Sequence, residues 1–117
     1  MPGLSIHVID VSRGVPATGM RVELRALGAA ETVMGDAFVG SGGVVPFLDL
    51  ATRPLQTGVY EAVFHVADWY RAQGIAMPDP AFLGAVPFRF GIADPTQHYH
   101  LPLKVTPWGF SLFRGGA

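Results

Sequence analysis

His98-Tyr99-His100-Leu101-Pro102-Leu103-Lys104-Val105 alternates between two kinds of residue. Tyr99, Leu101, Leu103 and Val105 are apolar, while His98, His100, Pro102 and Lys104 share the opposite parity. Period-two alternation sends successive side chains to opposite faces of a strand. Residues 97–105 therefore read as a strand that carries two imidazoles and one ammonium on a single face. Pro107-Trp108-Gly109 then breaks the chain, and residues 109–113 form a second apolar strand that runs into Arg114. Tail residues are usually dispensable, so a strand pattern and a cation this close to residue 117 are expected to be put to use.

The same reading extends towards the N-terminus. Residues 4–11 form a strand with Ser5, His7 and Ile9 on one face and Ile6 and Val8 on the other. Residues 12–17 are a turn-rich connection. Residues 20–27 alternate, Met20, Val22 and Leu24 against Arg21, Glu23 and Arg25, as in a half-buried antiparallel strand. Residues 44–48, 58–66 and 86–92 add further strands. The Gly- and Ala-rich stretch 28–43 shows no clear pattern beyond a short strand at Thr32-Val33-Met34. Residues 68–73 are the one helical segment, stopped by Gly74. Seven or eight short strands with Gly/Pro punctuation and one short helix predict an all-β sandwich, a single domain over 1–117.

Composition narrows the function classes. Half of the 117 residues are apolar and 15% are charged, against about 25% charged in ordinary soluble domains. A chain this small cannot hide so much apolar surface alone, so association into an oligomer is expected. The net charge of -1 supplies no basic field for nucleic acid or for an acidic membrane surface. There is no cysteine, which excludes disulfides and thiolate metal sites. Residues 1–7 show no signal-peptide pattern and no apolar run approaches spanning length, so a cytoplasmic location is expected.

Three kinds of residue, histidine, lysine and arginine, can carry chemistry. His7 occupies a mid-strand position where an apolar residue is the default; it is either a hydrogen-bonded structural imidazole or a site residue. The His98/His100 pair fits a metal half-site, a proton-transfer pair or a solvated face. No acidic residue lies beside it to complete a metal site, so neither metal nor cofactor is expected. His65, late in its strand, reads as structural. Lys104 is either a solvated lysine or, on a buried face, one whose pKa burial lowers. Arg114 fits a solvated tail, an ion pair or an anion clamp.

These residues also carry a resemblance. Leu4-Ser5-Ile6-His7-Val8-Ile9-Asp10 with Gly14-Val15-Pro16-Ala17 resembles the opening of the transthyretin-like family, whose enzymes are 5-hydroxyisourate hydrolases. Gly58-Val59-Tyr60-Glu61, Asp68-Trp69-Tyr70 and Pro87-Phe88-Arg89-Phe90 are similar to its middle segments. His98-Tyr99-His100-Leu101-Pro102-Leu103 and Phe113-Arg114-Gly115 match its closing signature. The resemblance implies a transthyretin-like sandwich, dimers that pair by edge strands and a tetramer of two dimers. It also implies active sites in a central channel, a small-molecule substrate and hydrolytic opening of a urate-derived ring.

Transferred residue by residue, the resemblance makes His7 and His100 catalytic. It also exposes departures. Val44 stands where the family carries a catalytic arginine, with Arg53 nearby in a variable loop. Phe113 replaces a tyrosine, Gly116 a serine, and Lys104 an apolar channel residue. The expected catalytic set is His7, His100, Lys104 and Arg114. Val44, Pro102, Ser111, Phe113 and Gly115 are expected to contact substrate. A histidine would activate water, and Lys104 or Arg114 would supply the oxyanion donor that Val44 cannot. Two alternatives stand beside this hydrolase: a relative turned to another heterocycle or carbonyl compound, and a non-enzymatic small-ligand carrier.

Overall fold

The computed structural model describes residues 3–46 and 54–116. They form β1 (Gly3–Asp10), β2 (Val15–Pro16), β3 (Arg21–Leu27), β4 (Glu31–Phe38) and β5 (Gly58–His65). After them come α1 (Val66–Ala72), β6 (Ala85–Ile92), β7 (His98–Thr106) and β8 (Gly109–Leu112). Two four-stranded sheets, ordered β2-β1-β7-β8 and β4-β3-β5-β6, make the expected all-β sandwich. β1 and β7 pair in parallel although they come from opposite ends of the sequence. That pairing sets Ser5 beside His100 and His7 beside Pro102.

The alternation read from the sequence is what fills the core. Ile6, Val8, Leu101, Leu103 and Val105 of the first sheet pack with Val22, Ala62, Phe64 and Val86 of the second, all almost fully buried. Each of these Val, Leu, Ile and Phe side chains contributes about 1.5–3 kcal/mol of burial. Leu24, Met34, Tyr60, Ile92 and Tyr99 close one end of the sandwich.

β4 is longer than the three residues expected. Its register against β3 shifts between Leu24 and Arg25, so Leu24 faces Gly35 while Arg25 faces Val33. The extra residue is Met34, which is buried, and the bulge resets the alternation. The strand expected over 44–48 is reduced to a bridge between Val44 and His7; residues 47 and 48 lie outside the described residues, as does Arg53. The connection at 12–17 contains the two-residue strand β2. The helix begins two residues earlier than expected, and Gly74 ends it in the left-handed conformation, φ 80°.

Asp10 and Glu23 are the buried charged side chains among the described residues. Asp10 accepts hydrogen bonds from the Ser12 amide and hydroxyl, from Arg13 Nε at 2.7 Å and from the Tyr70 hydroxyl at 2.8 Å. Burial pushes its pKa up, but these donors outweigh burial and hold it below the usual value. The cluster ties the end of β1 to α1. Glu23 belongs to a charged network on the outer face of the second sheet. Its pKa is lowered by hydrogen bonds from Arg25 and then His65, against burial. His65 is therefore a structural partner of Glu23, at 2.7 Å.

Candidate active site

The outer face of the first sheet is chemically unlike that network. Three cross-strand rows run across it. Val44 bridges His7, and His7 pairs with Pro102. The bridge between His100 and Gly115 extends the β7–β8 register past Leu112, which brings Phe113 beside Pro102. The central row is thus Val44, His7, Pro102 and Phe113. On one side lie Ser5, His100 and Gly115; on the other lie Ile9, Lys104 and Ser111. His7 is a diagonal neighbour of both His100 and Lys104, about 8 Å away at Cα by strand rise and inter-strand spacing.

Local packing fixes both imidazoles. The Val44 bridge is held by Val8 N–H to Gly43 O at 2.8 Å and Val45 N–H to Ile6 O at 3.0 Å. Those bonds flank the pair instead of joining it, which brings the His7 and Val44 side chains close together. His7 Nε2 donates to the Gly42 carbonyl at 3.1 Å, so its neutral form keeps Nδ1 as an acceptor. Gly43, at φ 86°, packs on the same ring; a Cβ there would stand 2.8 Å from Cδ2 and Nε2. His100 is gripped from the tail, where Gly115 N–H donates to the His100 carbonyl at 2.7 Å. Its Nδ1 lies 2.7 Å from Ser5 Oγ, which also lies 2.8 Å from His98 Nε2.

Lys104 is exposed in the single chain, and its Nζ stands 5.8 Å from the centre of the Phe113 ring. Val44 is 51% and Phe113 46% exposed. His7, His100, Lys104, Val44, Pro102, Ser111, Phe113 and Gly115 therefore share one open face. Arg114 does not join them. Its guanidinium lies 3.9 Å over the Tyr99 ring and donates to Gln97 Oε1 and the His98 carbonyl. Tyr99 is an inward residue, so Arg114 closes the edge of the sandwich beside a cleft of about 180 Å³ lined by Phe88, Phe90 and Leu101. Ser5 is the site residue that sequence reasoning left without a role. Its parity with His7 was legible, but its contact with both imidazoles requires the parallel β1–β7 register.

The sequence matches the HIUase/Transthyretin family over residues 4–115. The chain belongs to this family. A similar relative is 5-hydroxyisourate hydrolase 2 of Rhizobium meliloti, 43% identical over 113 residues, 96% of this chain and 94% of the relative. The structure of Klebsiella pneumoniae 5-hydroxyisourate hydrolase superposes with TM-score 0.80 at 26% identity, covering 99% of this chain and all of that one. An (S)-allantoin synthase structure superposes with TM-score 0.87 at 32% identity; the match covers 97% of this chain and 43% of that longer one. For this HIUase/Transthyretin family member, the two-histidine face is the candidate active site.

Proposed function

We propose that this chain is a 5-hydroxyisourate hydrolase whose oxyanion cation comes from Lys104. The observation that carries the reading is the shared face: His7 and His100 on adjacent strands, with an ammonium diagonal to His7. Water bound between the imidazoles gives up a proton to one of them as it attacks a ring amide carbonyl. The carbonyl oxygen gains negative charge, which the Lys104 ammonium stabilises. The ring C–N bond then breaks, and the departing nitrogen takes a proton from an imidazole. Val44, beside His7, contributes contact area and no charge.

The open apolar side chains on this face support a homotetramer in which two dimers stack and wall the site. Its expected setting is urate breakdown in the cytoplasm. The test is the ultraviolet absorbance of freshly generated 5-hydroxyisourate, which should decay faster with the protein than without it. Light scattering should give a mass of four chains. No acceleration removes the hydrolase reading. A second reading, a related heterocycle or carbonyl substrate, is favoured by the aliphatic Val44 at His7, and it then stands first. A non-enzymatic carrier would bind ligand undiminished after His7→Ala.

A further inference from the structure

Ser5 and His98 have no part in the hydrolysis just described, yet they are joined to His100 by short hydrogen bonds. Ser5 Oγ is 2.7 Å from His100 Nδ1 and 2.8 Å from His98 Nε2. A hydroxyl carries one proton, so it donates to one of these nitrogens and accepts an N–H from the other. Two arrangements of the bridge follow; passing from the first to the second shifts two protons along it and adds a third at His100 Nε2. In one, His100 Nδ1–H donates to Ser5 and Ser5 donates to His98, which leaves His100 Nε2 with a free lone pair. In the other, His98 Nε2–H donates to Ser5 and Ser5 donates to His100 Nδ1, so His100 carries its proton on Nε2.

We propose that His98 and Ser5 form a proton relay behind His100, acting as positioning residues that switch it between base and acid. The proposal rests on the hydrolase reading. The step begins with the lone pair of His100 Nε2. An N–H bond forms there as the O–H bond of water breaks, and that electron pair goes to the carbonyl carbon. The Nδ1 proton passes to Ser5 Oγ, and the Ser5 proton passes to His98 Nε2. His100 ends neutral with its proton on Nε2, ready for the departing ring nitrogen, and His98 ends as the imidazolium. When Nε2 gives up its proton, the two shifts reverse and His98 returns to neutral.

The layout gives this relay a purpose. Along β7 the order is His98, His100, Pro102, Lys104. A positive charge on His98 lies one strand repeat further from the Lys104 ammonium than a charge on His100, which lowers repulsion with that ammonium during the step, while Arg114, which donates to the His98 carbonyl, turns to the opposite face. The relay is also built into the fold. The parallel register sets Ser5 opposite His100 and Gly3 opposite His98, so the hydroxyl reaches both rings on one face.

Three variants test it: Ser5→Ala removes the bridge, Ser5→Thr keeps the hydroxyl, and His98→Gln keeps a polar partner that cannot carry the proton onward. With 5-hydroxyisourate, Ser5→Ala and His98→Gln should lower kcat by roughly 10- to 100-fold with KM within about twofold. Ser5→Thr should stay within about threefold of the parent protein. Rates in mixtures of light and heavy water should follow a bowed curve in the parent, as several protons move together, and a straight line in Ser5→Ala. Unchanged kcat in Ser5→Ala, or a straight line in the parent, overturns the relay. If the parent protein does not accelerate 5-hydroxyisourate decay at all, the hydrolase reading fails by itself. Nitrogen-15 spectra of the imidazoles then decide the hydrogen-bonded pair. Ser5→Ala should change the tautomer balance of both His98 and His100 while His65 stays constant; unchanged spectra overturn the coupling.

Discussion

Gly115 lies against His100 so closely that a Cβ added to it would stand 2.9 Å from Cδ2 of the ring. Its amide meanwhile donates to the His100 carbonyl. A methyl group at this position must tilt the imidazole or peel the tail away. Because misplacing a reacting group by about 1 Å can cost 100-fold in rate, Gly115→Ala should lower kcat/KM for 5-hydroxyisourate by roughly 10- to 100-fold. Only the tail strand is disturbed, so the urea midpoint should move little. Full activity in this variant would mean that the tail does not set the ring.

Gly43 does the same for His7 and has a backbone reason besides. Its φ of 86° is left-handed, and an L-residue there costs about 1–2 kcal/mol. Gly43→Ala adds a clash at 2.8 Å with the His7 ring. Unlike Gly115→Ala, this variant should lose both activity and about 1–3 kcal/mol of stability. Urea denaturation and initial rates on the same preparation separate the two losses.

The unequal legibility of the site has a physical cause. β7 was readable because its inward residues Tyr99, Leu101, Leu103 and Val105 are all large and apolar, and β1 because Ile6 and Val8 alternate with Ser5 and His7, although Asp10 is buried and Ile9 faces outward. β4 was not, since the bulge at Met34 interrupts a strand already rich in small residues, and alternation cannot be followed through a reset. Arg114 is the instructive position. The resemblance draws it towards the site, but a strand cannot aim adjacent residues at one face. With Phe113 and Gly115 on the face that carries Lys104 and His100, Arg114 must turn to Tyr99, as it does. Parity alone carried that answer. The roles of Ser5 and Val44 depend on which strands become neighbours, information that no local window of sequence contains.

Asp10 links the site-bearing strand to α1 through Tyr70. Its folded pKa is depressed, so its stabilising effect is present above the unfolded carboxylate value near 4 and is lost as pH falls through the folded value. Asp10→Asn should cost about 2–4 kcal/mol at pH 7, because Arg13, Ser12 and Tyr70 keep donors without an ionised acceptor. The difference from the parent should shrink as the pH is lowered below 4. Urea midpoints at pH 7 and pH 3 check this; an equal difference at both would assign the loss to shape instead of charge.

Lys104 and Val44 flank His7 from opposite sides, one a diagonal neighbour on β7 and the other its bridge partner. If Lys104 supplies the oxyanion cation, Lys104→Met removes a donor whose loss typically costs about 100- to 1,000-fold. The effect should fall on kcat more than on KM, since the charge it meets exists only in the transition state. The lysine is exposed in the single chain, so stability should stay within about 0.5 kcal/mol. Val44→Arg places a guanidinium beside the same imidazole from the other side. In the Lys104→Met background it should recover about tenfold or more of the lost rate. In the parent background it should add less, because one cation already serves the oxyanion and a second like charge nearby opposes it. Equal gains in both backgrounds would show that the two cations act independently, and Lys104 would lose its assigned role. Steady-state rates of the four proteins complete the cycle.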